Sequence, residues 1–511
     1  MGHTDMTHSR PVALSSKRSG SETMPKRPPT STRAGVLLYA WLAFGLVLWF
    51  QTDAGTSLRP LVLFECTIAA VAAPWTVSRV APTGFWSPAN IFLVVFSLFH
   101  LGLLPFWILG IDPLLPRTED YIWFRGELGV QSLVMVTLAI AAYTLGFLFI
   151  SLLRGQESGQ SAPVDRGSAR RDVASDIRTL SRLGVVLTVA GVLIWFLTGL
   201  RAGGLQIFVG SYQSWLATTN SSSVLPYAYF AVGVGLGLAM LGPSRRAATI
   251  AWCTFGTYAT VAFFLGLRGE VLFPLAVAAS VMAFRRPMPK ALLTILGGAA
   301  VLLLISAAKL IRQLGVSEST FRWADANPLA ALAEVGQTLR VVSIVNSWHT
   351  QGGEPFLSGS TYYVSIARFY EGLFTPLARP SAQMDYRLFN TEIAQRSGPI
   401  GGSAVAEAFH NFGVPGLVLV FVVLGLIFAY FSQEHQGPFA MATYVVAAVQ
   451  LFNHVRNSFV PVIPFFVAGM VLVTFCFLLA RAMPRNHLSH EAEHSSGLQR
   501  PGPHDLSGSK A

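Results

Sequence analysis

Charge is what this sequence has least of: 12% of its 511 residues are Asp, Glu, Lys or Arg, against about 25% in ordinary soluble proteins. The 36 basic and 25 acidic residues cannot cover a globule of this size, whereas a chain sunk in a bilayer needs polar groups only in loops and inner cavities. An ordinary soluble protein is excluded. Cysteine is nearly absent too. Cys66, Cys253 and Cys476 each lie inside an apolar run without CxxC spacing, which excludes a disulfide framework or a zinc site. There is no HExxH, no His/Asp/Glu set at metal spacing and no GxSxG, so nothing supports a metalloprotease or a serine hydrolase. The lack of GxxxxGK[ST] removes ATP-driven pumping. No helix-pair repeat or inverted duplication is visible, which weakens a secondary transporter.

What the chain has is apolar runs, with 52% hydrophobic residues. Twelve stretches are long enough, or nearly so, to cross roughly 30 Å of hydrocarbon at about 1.5 Å per residue. They centre on residues 35–50, 61–77, 89–110, 129–153, 184–200, 225–242, 247–266, 270–284, 291–308, 414–431, 438–453 and 461–480. The expected fold is an all-α polytopic integral membrane protein of about 12 transmembrane helices, with one large extracytoplasmic loop between spans 9 and 10. Residues 1–34 and 481–511 are polar and read as disordered cytoplasmic tails. The leader is too long for a signal peptide and no A-x-A site follows the first apolar run, so the first span is expected to be retained. Between the tails lie a nine-span bundle (35–308), the loop with amphipathic helices (309–411) and a three-span part (412–480).

Counting loops alternately puts 22 Lys and Arg on one side and 14 on the other, eight of the 14 in the long loop. The side richer in short basic loops is the cytoplasmic one, so both termini are expected there. Most of the net charge of +11 is then a topology signal, and nucleic acid drops out as a partner. The long loop balances eight acidic against eight basic residues, and connections of this length are commonly functional. Within it, Pro328 to Trp348 carries Leu332, Val335, Leu339, Val342 and Val345 at helical spacing, predicting an amphipathic helix on the bundle or the interface.

The stretch from Ser397 to Gly416 runs into the tenth span. Ser403 can cap a helix whose next turns carry Glu407, His410 and Asn411 at spacings of three and four, on one face. Gly413, Pro415 and Gly416 then break the chain, letting that face point into a cavity. A carboxylate, an imidazole and an amide so near hydrocarbon are costly unless paired or used. Arginines at membrane exits form a second set: Arg268 in a three-residue turn, Arg456 before the last span, and Lys309 with Arg312 after the ninth. Each alone is equally a snorkelling side chain; together they suit a multivalent phosphate, which a guanidinium's planar fork can grip. The loop aromatics Phe321, Trp323, Trp348, Tyr362, Tyr363, Phe369, Tyr370 and Tyr386 suit sugar rings and an interfacial belt alike. Glu65 and His100 read as packed polar residues.

The run 401–416, Gly-Gly-Ser-Ala-Val-Ala-Glu-Ala-Phe-His-Asn-Phe-Gly-Val-Pro-Gly, resembles the signature of Wzy-type O-antigen and exopolysaccharide repeat-unit polymerases. Gly266-Leu-Arg-Gly resembles that family's Gly-Ser-Arg-Gly segment, with Leu267 where Ser is common, and Arg456-Asn-Ser resembles its Arg-x-Ser. The resemblance implies polymerisation of undecaprenyl-pyrophosphate-linked oligosaccharides on the outer face of the inner membrane, without nucleotide sugar, metal or other cofactor. It implies a chain-length regulator and a lipid-glycan flippase as partners. On this reading Glu407, with His410 as alternate, is the general base, and Arg268 and Arg456 hold the leaving pyrophosphate. Asn411, Arg340, Arg368 and Arg387 orient substrate, chosen by location and chemistry. The other readings are an outer-face transferase using polyprenyl-phosphate sugars, for which Asp53 is the pointer, an O-antigen ligase, and a lipid-linked glycan transporter or flippase.

Overall fold

The computed structural model describes residues 29–51, 59–111, 123–155, 167–219, 222–289, a few positions between 293 and 304, 327–375, 380–433 except 383, and 437–482. Every long element among them is helical, because a helix satisfies its own backbone where hydrocarbon offers no partner. In chain order these are α1 (Pro29–Gln51), α2 (Arg59–Val80), α3 (Pro88–Leu101), α4 (Leu104–Leu109), α5 (Glu127–Gly155), α6 (Gly167–Gly203), α7 (Tyr212–Thr219), α8 (Leu225–Met240) and α9 (Arg245–Phe264). There follow α10 (Arg268–Met282), α11 (Pro328–Val335), α12 (Thr338–Thr350), α13 (Ser360–Phe374), α14 (Phe389–Ser397), α15 (Ala404–Phe431), α16 (Pro438–His454) and α17 (Val462–Ala482).

Among the described residues six helical stretches are long and apolar enough to cross a membrane: Arg59–Val80, Glu127–Leu153, Val173–Gly203, Arg245–Phe264, Pro328–Thr350 and Ala404–Phe431. Four shorter ones, Thr32–Val47, Pro88–Leu101, Leu225–Met240 and Val462–Leu478, are also apolar. The protein is therefore an all-helical polytopic membrane protein. The run 291–308 lies almost wholly outside the described residues, as do Lys309, Arg312, Asp53 and most of both tails.

One element differs from its sequence pattern. Pro328–Thr350 forms two helices meeting at Gly336 where one was expected, and they lie on the bundle, against α3, α5 and α15. Leu339, Val341, Val342, Val345 and Trp348 are all buried, while Gln337, Arg340 and Ser347 keep a half-buried polar stripe on the other side. The chains cross closely at the joint: a Cβ at Gly336 would stand 3.0 Å from the Gly102 Cα.

Helices α1, α2, α5, α12 and α15 form one group and α6, α8, α9, α10 and α17 another. In each, small residues let backbones touch. Gly146 and Gly425 do so between α5 and α15, and Gly184 and Gly235 between α6 and α8. Helices α3 and α16 join the groups. At the joint the Phe92 ring lies 4.5 Å from Phe428, 5.3 Å from Tyr143 and 5.4 Å from Phe452. This aromatic knot fixes α3, α15 and α16 against one another, and with them the polar end that they share.

Candidate active site

The polar end gathers the start of α10, the start of α15, the turn after α16 and the helices α11 to α14. Ser403 is the N-cap of α15 and accepts from Ala406 N–H at 3.4 Å. His100, at the end of α3, meets the same hydroxyl at 2.9 Å. The helix breaks at Gly413, whose φ of 67° is left-handed backbone that a side chain would strain. Glu407, His410 and Asn411 thus sit on a short, separately capped segment.

Glu407 is wholly buried and both its oxygens are engaged. Thr361 Oγ1 donates to Oε1 at 2.8 Å, and the Phe459 backbone N–H donates to Oε2 at 2.7 Å. Asn411 Nδ2 donates to Thr361 Oγ1 and to the Glu407 carbonyl, each at 2.7 Å. His454 Nδ1 lies 3.7 Å from Glu407 Oε2 and 3.0 Å from the Asn457 carbonyl. Glu407 therefore ties α13 and the turn 455–459 to α15. One donor sits on each oxygen, which leaves further lone pairs on a carboxylate that no solvent reaches.

His410 faces a different network, although the spacing puts it on the same helix face. Its Nδ1 is 2.8 Å from His349 Nε2 and its Nε2 is 3.2 Å from Glu392 Oε2. Arg396 bridges Glu392, at 3.0 Å, and Glu354, and stacks 3.7 Å over the Trp348 ring. Burial raises the Glu392 carboxyl, but the bonds from His410 and Arg396 outweigh it and leave it below the usual range. Arg396 holds Glu354 below that range as well.

Arg368 and Arg387 belong to a third cluster. Arg368 is buried and bonds Asp385, while Arg387 reaches Asp385 at 2.9 Å and Glu371 at 2.8 Å. The bonds from Arg387, against burial and with help from Arg368, pull the Asp385 carboxyl down to about 2. The cluster clips α13 to the chain leading into α14. Arg340 is half-buried on α12.

Arg268 is buried and paired with Glu334 at 2.9 Å. Arg456 differs: its guanidinium lies 6.0 Å over the Phe99 ring, and among the described residues no carboxylate stands within ion-pair distance of it. Its carbonyl accepts from Gly402 N–H at 2.9 Å, which joins the turn to the start of α15. The arrangement offers a guanidinium on a turn braced from two sides, able to grip an anion.

Residues that the sequence reading passed over complete the end: Thr361, His454 and Glu270. Glu270, half-buried in the first turn of α10, lies within electrostatic reach of Arg456. Its place two residues beyond Arg268 was the available signal. It was lost because the apolar run starting there reads as a span.

Fold and polar end together define a class: a multi-pass helical membrane protein with a charge-lined end built from loops and broken helices. The family described as O-antigen polysaccharide polymerase Wzy matches over residues 39–487, and the chain belongs to that family. Membership makes it a polymerase of repeat units into surface polysaccharide. It is also similar to protein CapE of Staphylococcus aureus, 25% identical over 373 residues, which cover 72% of this chain and 79% of CapE. No solved structure matches it.

Proposed function

We propose that the protein joins undecaprenyl-pyrophosphate-linked oligosaccharide repeat units on the outer face of the cytoplasmic membrane, with both termini on the cytoplasmic side. An incoming unit's hydroxyl attacks the reducing-end sugar of the growing chain, and lipid pyrophosphate leaves. The leaving group stores the free energy of the reaction, so no nucleotide sugar is needed. A chain-length regulator and a flippase supplying the units are the partners that this scheme implies.

The observation that carries the reading is Arg456, a guanidinium with no carboxylate partner among the described residues, fixed beside the paired Arg268–Glu334 end of α10. Charge left uncompensated near hydrocarbon is costly unless an anion arrives. A planar fork grips phosphate oxygens in pairs and stabilises the negative charge that grows as the glycosidic bond breaks. Glu407, Asn411 and Thr361 act by bracing the turn that carries Arg456. Arg368, Arg387 and the His410 network act by holding the covering helices. Arg340 stands on a helix that borders the same end.

In a host carrying the glycan pathway, R456A is expected to abolish long polymer and leave single repeat units on the surface glycan. Polymer of normal length from R456A would remove the assignment of the site.

A further inference from the structure

A hydroxyl that attacks an anomeric carbon must lose its proton, and a carboxylate serves as base only if the hydroxyl can reach one of its lone pairs. At the polar end almost every described carboxylate is occupied. Glu334 is held by Arg268, Glu354 and Glu392 by Arg396, and Glu371 and Asp385 by Arg387. Glu407 is wholly buried and accepts from Thr361 and Phe459 N–H, and Glu127 accepts from Gln131 at 3.2 Å.

Glu270 stands apart from all of these. Among the described residues no cation lies within ion-pair distance of it, and no side chain donates a hydrogen bond to it. It is half-buried, and Tyr229 and Tyr258 stand close enough for its charge to act on them. The Tyr258 hydroxyl is itself buried and has no hydrogen-bond partner among the described residues. Arg456 is within electrostatic reach but beyond ion-pair distance. Two opposite charges in a poorly solvated place, close and yet unjoined, forgo a direct ion pair. Such a pair is suited to hold a ligand that meets each partner separately, an anion at Arg456 and a hydroxyl at Glu270.

We infer that Glu270 is the general base of the polymerisation, taking the proton of the acceptor sugar's hydroxyl; this rests on the polymerase reading above. The acceptor oxygen forms a bond to the anomeric carbon of the chain's reducing-end sugar. The bond from that carbon to pyrophosphate oxygen breaks, and its electron pair leaves with the lipid pyrophosphate, whose charge Arg456 meets. The hydroxyl proton moves to a Glu270 oxygen and is returned to water when the product departs. The leaving pyrophosphate is a weak base and needs no proton from the enzyme, so a single free carboxylate suffices.

The test uses purified full-length protein, lipid-linked repeat units and undecaprenyl pyrophosphate as binding probe. E270Q and E270A are expected to lower turnover by about 10²- to 10⁴-fold while binding the probe within about threefold of wild type. Formate, a small carboxylate able to enter the space left in E270A, is expected to restore at least tenfold of the lost rate and to leave wild type unchanged. Turnover by E270Q within about threefold of wild type would overturn the inference. So would loss of probe binding in both variants with no rescue by formate, which would mark a structural role. If wild type lengthens nothing, the polymerase reading itself falls, and this inference with it.

Discussion

Burying a carboxylate beside no full cation costs several kcal/mol unless fixed dipoles replace its water, and at Glu407 Thr361 and Phe459 N–H supply them. This predicts a contrast between two variants. In E407Q the amide oxygen can still accept from Phe459 N–H while the amide nitrogen donates to Thr361 Oγ1, so turnover should stay within about tenfold of wild type. E407L leaves both donors orphaned at about 1–3 kcal/mol each, and should lower the thermal midpoint and abolish turnover. Abolished turnover in a well-folded E407Q would instead make Glu407 the proton acceptor. Asp385 gives a pH dependence. Its folded carboxyl, pulled down to about 2 by Arg387 and Arg368, lies below an unfolded value near 4, so its contribution is complete above about pH 4 and is lost as pH falls through about 2. Proteolysis of the α13–α14 region should therefore be insensitive to pH between 5 and 8, while D385N should speed cleavage even at pH 7. Equal cleavage of D385N and wild type would contradict the clip.

The helix α15 shows how much an element can announce. Its cap at Ser403 and its break at Gly413 are both readable from residue type, because a hydroxyl before a helix and a glycine inside one each have a specific backbone use. G413V should strain the left-handed backbone by about 1–2 kcal/mol and press on the Phe356 ring, which a Cβ there already meets at 3.0 Å. The expected result is lower turnover at nearly normal expression; unchanged turnover would mean that the break is not needed for Glu407 and Asn411 to brace the turn that carries Arg456. The pattern was less informative for α11 and α12. Helical spacing of Leu332, Val335, Leu339, Val342 and Val345 identifies a helix but cannot say whether bilayer or protein covers it, and here α3, α5 and α15 do. The same limit separated Glu407 from His410. Spacing puts them on one face, yet which neighbour each meets depends on α13 and α12, 46 and 61 residues away.

At the scale of the molecule, scarcity of charge was enough to define an all-helical polytopic protein, and a few short segments carried the family. The site was only partly legible. Arg268 and Arg456 stand at the same end, as their positions at membrane exits suggest, but among the described residues only Arg268 has an ion-pair partner. Which carboxylate is left free depends on how all the others are paired, and no local pattern encodes that. Joining repeat units by losing lipid pyrophosphate has a fixed stoichiometry, and this makes the central claim measurable. Purified protein given lipid-linked repeat units, with no nucleotide sugar, should produce a ladder of lengthening glycans and release one lipid pyrophosphate per unit added. R456A should lower both by about 100-fold or more. A ladder formed without that release, or equal release by wild type and R456A, would contradict the account.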